Sequence, residues 1–312
     1  MSQTEVENLQ RWLNQEPLLE SKQFSHARGM AATRDLPPDT VIMKIPYDKM
    51  FSYQKDCADF REKYHDKMNN SNSLLAWKWH TQSNPKDFYH YNRKWDVYRS
   101  TLQGAEKYHS LLLSPNRLKY IEELPFYQNF IEWKKQILTD YQFLAEKLQS
   151  RDFPISWRQF VKARTVLTSR VFGFTRNGDH DVALVPYADL LNHREPPNTR
   201  WYFHEPDQTF RVETTTEIPK GSEVFDTYGK KDNSLMWMYY GFTHPEHHFQ
   251  TRSLSETSKR FQKRWTRLRK KILHRQKRGT RKNKRSHQSI KSSQLLSPHP
   301  MEMLMPFVKF DK

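Results

Sequence analysis

Four short stretches of this sequence hold residue types that could do chemistry together. They are HARGM (26–30), TSRVF (168–172), PYADLLNH (186–193) and VFDTYGKKDNSLMWMYYGF (224–242). Arg170 offers a planar fork that matches both oxygens of a carboxylate. Asn192 and His193 end an apolar run with donors and acceptors side by side. Tyr228, Tyr239 and Tyr240 offer ring walls with polar tips. Each stretch alone has a plain structural reading: Ser169–Arg170 ends a helix, Asn192–His193 makes a turn, and Tyr228–Gly229 precedes a loop.

Other chemistries are excluded or weakened by what is missing. Cys57 is the single cysteine, so neither an intramolecular disulfide nor a Cys-based zinc site can form. The eight glycines make no G-x-G-x-x-G and no phosphate-binding P-loop, and there is no G-x-S-x-G or H-E-x-x-H. His244, His247 and His248 cluster in HPEHH, which reads as a solvated loop, and no metal is assigned. No apolar run reaches membrane-spanning length. The acidic, polar start MSQTEVENLQRWLNQ does not read as a secretory leader. The expectation is an intracellular protein of the nucleus or cytoplasm. Residues 259–312 carry 18 Lys and Arg against Glu302 and Asp311, a net +16 of the chain's +17. The body is therefore nearly neutral and the tail is a polycation.

The elements that must position these stretches follow from periodicity. Residues 4–20 predict a helix with Val6, Leu9, Trp12 and Leu13 on one face. Gly29 predicts a turn, Pro37–Pro38 a loop, and TVIMKIP a buried strand. From Tyr53 to Val166 the spacing turns helical. SPNRLKYIEEL should be capped by Ser114 with Pro115 at its first position, and ISWRQFVKARTVLTSRVF should be capped by Ser156. After Gly173 come the short β-rich runs VALVPY, TRWYFHE, TFRVETTTEI and EVFDTY, with turns at EPDQT and IPKGSE; SLMWMYYGF closes the block. Strands, then helices, then strands give an α+β class: a β-rich fold of small sheets interrupted by a helical insertion.

In this order the four stretches resemble the SET-domain methyltransferases, nearest the split-SET group typified by the Rubisco large-subunit lysine methyltransferase. The pattern SR…VPxxDLLNH…GxEVFxxYG…N…YGF carries the resemblance, over roughly residues 5–245. It implies split SET halves at 1–55 and 160–245, a helical insertion at 56–159, and a pseudoknot in which the Asn-His segment passes through a loop. Residues 246–312 remain as a basic helical or disordered tail.

The resemblance also implies roles. S-adenosyl-L-methionine would be the cofactor, held by His26, Ala27, Arg28 and Gly29 through their backbone. Arg170 would meet its carboxylate and Asn192 its methionine moiety. His193 would meet the adenine through its backbone, with Asp189 and Tyr240 completing that side. Tyr228 matches the catalytic tyrosine. Phe172, Tyr187 and Tyr239 would wall the substrate channel. A lysine nucleophile must arrive deprotonated, and an aromatic channel favours the neutral amine. Phe172 favours lysine over histidine as the target, since the histidine-modifying branch carries Asn there. The sequence departs from the family at His26, where relatives carry an acidic residue. It departs again after Pro245, where they carry a large helical domain that helps dock substrate. The reading is a protein-lysine N-methyltransferase acting on a protein partner, with nucleic acid a second partner for the tail. A catalytically inactive SET-like module with a nucleic-acid-binding tail and a protein-histidine methyltransferase are the alternatives.

Overall fold

Asn14 decides where the first helix stops. Helix α1 (Gln3–Leu13) opens with a capping box between Ser2 and Glu5 and buries Val6, Leu9, Gln10 and Leu13. Asn14 then takes the left-handed conformation (φ 52°) and donates its N–H to the Arg11 carbonyl. The helix is thus shorter than the 4–20 span that periodicity predicts. The residues beyond it form strand β1 (Leu19–Gln23), antiparallel to β2 (Arg28–Ala32). The computed structural model describes residues 1–25, 27–64, 67, 70–83, 92–102, 109–149 and 154–244. His26, His247, His248 and the whole tail lie outside the described residues.

Strands β3 (Val41–Pro46) and β4 (Phe51–Ser52) precede, among the described residues, the helices α2 (Tyr53–Asp56), α3 (Ala58–Tyr64), α4 (Ser71–Ser83), α5 (Asp96–Thr101), α6 (Pro115–Leu118), α7 (Tyr127–Leu148) and α8 (Trp157–Arg170). Ser156 caps α8 through a capping box with Gln159. The helix expected over SPNRLKYIEEL is a single turn. Beyond Leu118 the backbone closes tighter bonds, Ile121 N–H to Leu118 and Leu124 N–H to Ile121, and Pro125 follows. Helix α8 ends at Arg170, two residues earlier than expected, because Val171 and Phe172 already belong to β5 (Val171–Arg176).

Strand β5 pairs with β6 (Asp179–Leu184) across Asn177–Gly178, both at positive φ (51° and 83°), the geometry of a tight hairpin turn. Strands β7 (Asn192–His193), β8 (Thr199–His204), β9 (Thr209–Thr214) and β10 (Glu223–Asp226) follow, and helix α9 (Asn233–Tyr240) closes the described fold. SLMWMYYGF therefore belongs mainly to a helix, capped by Asp232 and stopped by Gly241 at φ 76°. The strands form three small sheets, in the orders β1-β2-β10-β7, β3-β9-β8 and β4-β6-β5. Among the described strands, only β7 with β10 pairs in parallel.

Two aromatic clusters tie helices to sheets. Buried Phe51, Trp79, Trp95 and Tyr98 stack edge to face with ring centroids 5.1 to 5.8 Å apart. Phe126 and Phe130 close on Trp237 of α9 at 5.4 and 5.3 Å. His109 Nε2 bonds the Tyr239 carbonyl at 2.8 Å, and Ser110 Oγ donates to that of Met238 at 2.6 Å. Burial drops the His109 pKa to about 3, so its imidazole is neutral. The helices between β4 and β5 thus brace the end of α9 that carries Tyr240. Among the described residues no helix is long and apolar enough to cross a membrane.

Candidate active site

The last residue of α8 reaches the turn before β7. Arg170 Nη1 donates to the Asp189 carbonyl at 2.9 Å and to its Oδ2 at 3.0 Å. Tyr98 donates its hydroxyl to the same Oδ2 at 2.7 Å. The Asp189 side chain is fully buried, and its Oδ1 is buried with no hydrogen-bond partner. Burial pushes the Asp189 carboxyl up, with Arg170 and Tyr98 pulling against it. Burial alone would lower Arg170, but Asp189 and Tyr98 more than offset that and hold the guanidinium charged. Tyr187 sets the turn: it sits at φ 80°, a costly conformation for a bulky residue, before the 3-10 turn Ala188–Leu190.

Beyond that turn, Asn192 is fastened from two sides. Its Nδ2 donates to the Arg28 carbonyl at 3.0 Å and to Glu223 Oε1 at 2.7 Å, while its amide oxygen makes no bond among the described residues. Gly29 lies inside β2, not in the turn the sequence suggested. Its reason for being glycine is close approach: an added Cβ would lie 2.0 Å from Glu223 Oε1 and 2.8 Å from Asn192 Nδ2. Asn198 secures β10 in turn, donating to the Glu223 carbonyl at 3.0 Å and accepting from Phe225 N–H at 2.7 Å.

Tyr228 follows β10 directly. Its hydroxyl donates to the Leu191 carbonyl at 2.9 Å, and its N–H to His193 Nδ1 at 3.0 Å. Its ring stacks between His193 (5.1 Å) and Tyr240 (4.7 Å). Burial raises the Tyr228 phenol well above its ordinary value and pushes Tyr240 up to about 12, so both stay protonated at neutral pH.

Two cavities meet at this tyrosine. One, of about 320 Å³, is lined by Arg28 and Asn192. The other, of about 300 Å³, is lined by Phe172, Trp201, Asp226 and Lys231. Ser169, Arg170, Asp189, Leu191, Tyr228 and Tyr240 line both. Phe172 meets the edge of Trp201 at 5.4 Å, and Trp201 stacks on Phe210 at 5.3 Å. Lys231 donates its ammonium to the Tyr228 carbonyl and lies 5.8 Å from the Tyr240 ring centre.

Of the residues expected at a site, the structure brings Arg28, Arg170, Phe172, Asp189, Asn192, Tyr228 and Tyr240 onto these walls. Two expected channel residues are elsewhere. Tyr187 is fully buried in the core, its hydroxyl bonded to Gln10 Nε2 at 2.7 Å. Tyr239 turns its ring away to Trp133 of α7, 5.2 Å off, because neighbouring residues on a helix face different sides. Ala27, Gly29 and His193 do not face either cavity. The Ala27 carbonyl accepts from Phe24 N–H, and His193 supports Tyr228 from behind. Tyr98, Trp201, Glu223 and Asp226 carry parts of the site that sequence reasoning missed. Asp226 stands two residues before Tyr228 in the quoted motif, so its position was a usable signal; Tyr98 has none, being 91 residues from Asp189.

Comparison with known proteins agrees with this geometry. The SET-domain family profile matches residues 27–229. The tobacco (Nicotiana tabacum) ribulose-1,5 bisphosphate carboxylase/oxygenase large subunit N-methyltransferase is 24% identical over 271 residues, 77% of this chain and 51% of that protein. The ribosomal lysine N-methyltransferase set10 of Schizosaccharomyces pombe is 22% identical over 243 residues, 72% of this chain and 41% of that protein. The solved structure of Rubisco LSMT bound to AdoMet superposes with a TM-score of 0.64 at 17% identity, covering 78% of this chain and 57% of that one. The chain spans about half the length of the curated relatives it matches. With the profile running through β2, the β7 turn and Tyr228, the chain belongs to the SET-domain family.

Proposed function

We propose that this protein transfers a methyl group from S-adenosyl-L-methionine to a lysine side chain of a protein substrate. The observation that carries the reading is the pair of cavities joined at Tyr228. Two reactants, one in each cavity, would meet at the shared wall beside Tyr228, and a displacement at carbon needs them held together.

The polar cavity fits the cofactor's methionine end by its donor set. The Asn192 amide oxygen is an acceptor without a partner among the described residues, suited to an ammonium. Arg170 spends only Nη1 on Asp189, and the remainder of its fork suits a carboxylate. When bound, the cofactor supplies an electrophilic methyl on a sulfonium. Phe172, Trp201 and Tyr240 exclude water around the incoming amine and disfavour its charged form. Tyr228, protonated and tied to the Leu191 carbonyl, orients the reacting atoms and does not serve as a strong base. The relatives named as lysine methyltransferases support the lysine target, as does Phe172 on the cavity wall. Contact with nucleic acid through residues 246–312, and residence in nucleus or cytoplasm, remain proposals from charge and composition.

The test is transfer of labelled methyl to a cell lysate, with mass spectrometry locating the methyl. Wild type should label lysines, and Tyr228→Phe should lose roughly 100-fold in rate. Methyl on imidazole, or equal labelling by both proteins, would overturn the assignment.

A further inference from the structure

The second cavity contains a carboxyl that no described cation answers. Asp226 ends β10 at 2% exposure, and its side chain lines the cavity beside Tyr228. Oδ1 accepts from the Thr227 N–H at 2.6 Å; Oδ2 has no protein partner among the described residues. No described Lys or Arg lies at ion-pairing distance from it. A buried carboxylate is ordinarily paired or metal-bound, so this one is short of a cation.

Its surroundings sharpen that. Glu195, on the segment after β7, adds negative charge nearby and bonds the Thr227 hydroxyl. Arg194 lies over the Phe225 ring at 4.4 Å; adjacent strand residues point to opposite faces, so it stands on the far side from Asp226. Across the cavity, Lys231 is bound to the Tyr228 carbonyl and Arg170 to Asp189. His193 is the register partner of Asp226 on β7, its ring taken by Tyr228. Tyr228 and Tyr240 complete the facing groups, both protonated.

We infer that Asp226 receives the ammonium of the substrate lysine and takes one of its protons, leaving a neutral amine beside Tyr228. The inference rests on the methyl-transfer reading above. In the step, a lysine N–H bond breaks and a carboxyl O–H bond forms, so cation and anion become two neutral groups. Among aromatic walls the neutral pair is favoured, since an ion pair in a dry site carries a heavy desolvation cost. The amine's lone pair then forms the N–C bond as the methyl leaves sulfur, and Asp226 returns its proton to solvent between turnovers. The geometry is supported by the acid's poise: burial pushes its pKa up, the Thr227 N–H pulls it back, Glu195 raises it again, and it settles at about 7.

The experiment compares wild type with Asp226→Asn, which keeps the acceptor for Thr227, and with Asp226→Ser as a second folded variant. Three readouts are taken: labelled methyl transfer to lysate from pH 6 to 10, calorimetric binding of n-butylammonium, and calorimetric binding of S-adenosylhomocysteine. Both variants should lose about 10-fold or more in rate at pH 8 and recover towards pH 10, where lysine ionises unaided (~10.4 in solution). The rate limb near pH 7 should vanish. Butylammonium should bind about 10-fold more weakly, and S-adenosylhomocysteine as in wild type, because Asp226 lines only the far cavity. Unchanged rates and butylammonium binding would overturn the role of Asp226, as would an equal loss of S-adenosylhomocysteine binding. A wild type that binds butylammonium through Asp226 yet methylates nothing would instead sink the methyl-transfer reading and the proton step with it.

Discussion

The two cavities that share Tyr228 are built on opposite principles. On the Asn192 side the main polar groups are held within the chain: Asp189 by Arg170 and Tyr98, Asn192 by Arg28 and Glu223. Those bonds fix the walls in place and leave the Asn192 amide oxygen unspent, which is preorganisation for a ligand of constant shape. On the Phe172 side the rings of Phe172, Trp201 and Tyr240 stand beside a second buried carboxyl, Asp226, which has no cation partner among the described residues. The Asn192 side therefore stabilises the fold, while the Phe172 side keeps a buried carboxyl without a described cation, at a cost.

The largest test of the contrast is Arg170→Ala. It leaves Asp189 buried with Tyr98 alone and should cost about 3–5 kcal/mol in chemical denaturation. A cost below about 1 kcal/mol would mean the polar side is not held by that pair. Next is the pH dependence of Asp226. A carboxyl whose folded pKa is raised loses stability as pH rises from its unfolded value, near 4, through its folded value, about 7. Between pH 4 and pH 8 the stability difference should shift in favour of Asp226→Asn by roughly 2–4 kcal/mol. Parallel stability curves for the two proteins would show that Asp226 is not a strained carboxyl. The smallest effect expected is that of Tyr187→Phe. Loss of the Gln10 bond should cost about 1 kcal/mol and leave methyl transfer unchanged, since Tyr187 faces the core. A fall in rate without a fall in stability would return Tyr187 to the channel.

Much of the site was legible before the fold was known. Arg170, Asn192, Tyr228 and Tyr240 sit in stretches whose joint order is distinctive, and the structure collects all four around the joined cavities. Tyr187 and Tyr239 were misread for one reason: their type suited a channel, but type does not give direction. A residue before a tight turn at φ 80°, and one a single step round a helix from Tyr240, both point elsewhere. Gly29 shows the reverse case. Its identity was a signal of a backbone need, but the need was room for Glu223 and Asn192 rather than a turn.

Local sequence carried the order of strands, helices and strands, the cap at Ser156, and the set of motifs that can cooperate. These depend on near neighbours, and local spacing records them. It took the packed chain to show that Tyr98 holds Asp189, that Glu223 holds Asn192, and that Asp226 has no cation partner among the described residues. Those facts depend on which groups meet after being far apart along the chain, and on how much water their meeting excludes. Burial turns an ordinary aspartate into an acceptor poised near neutral pH, and burial is a property of the packed molecule.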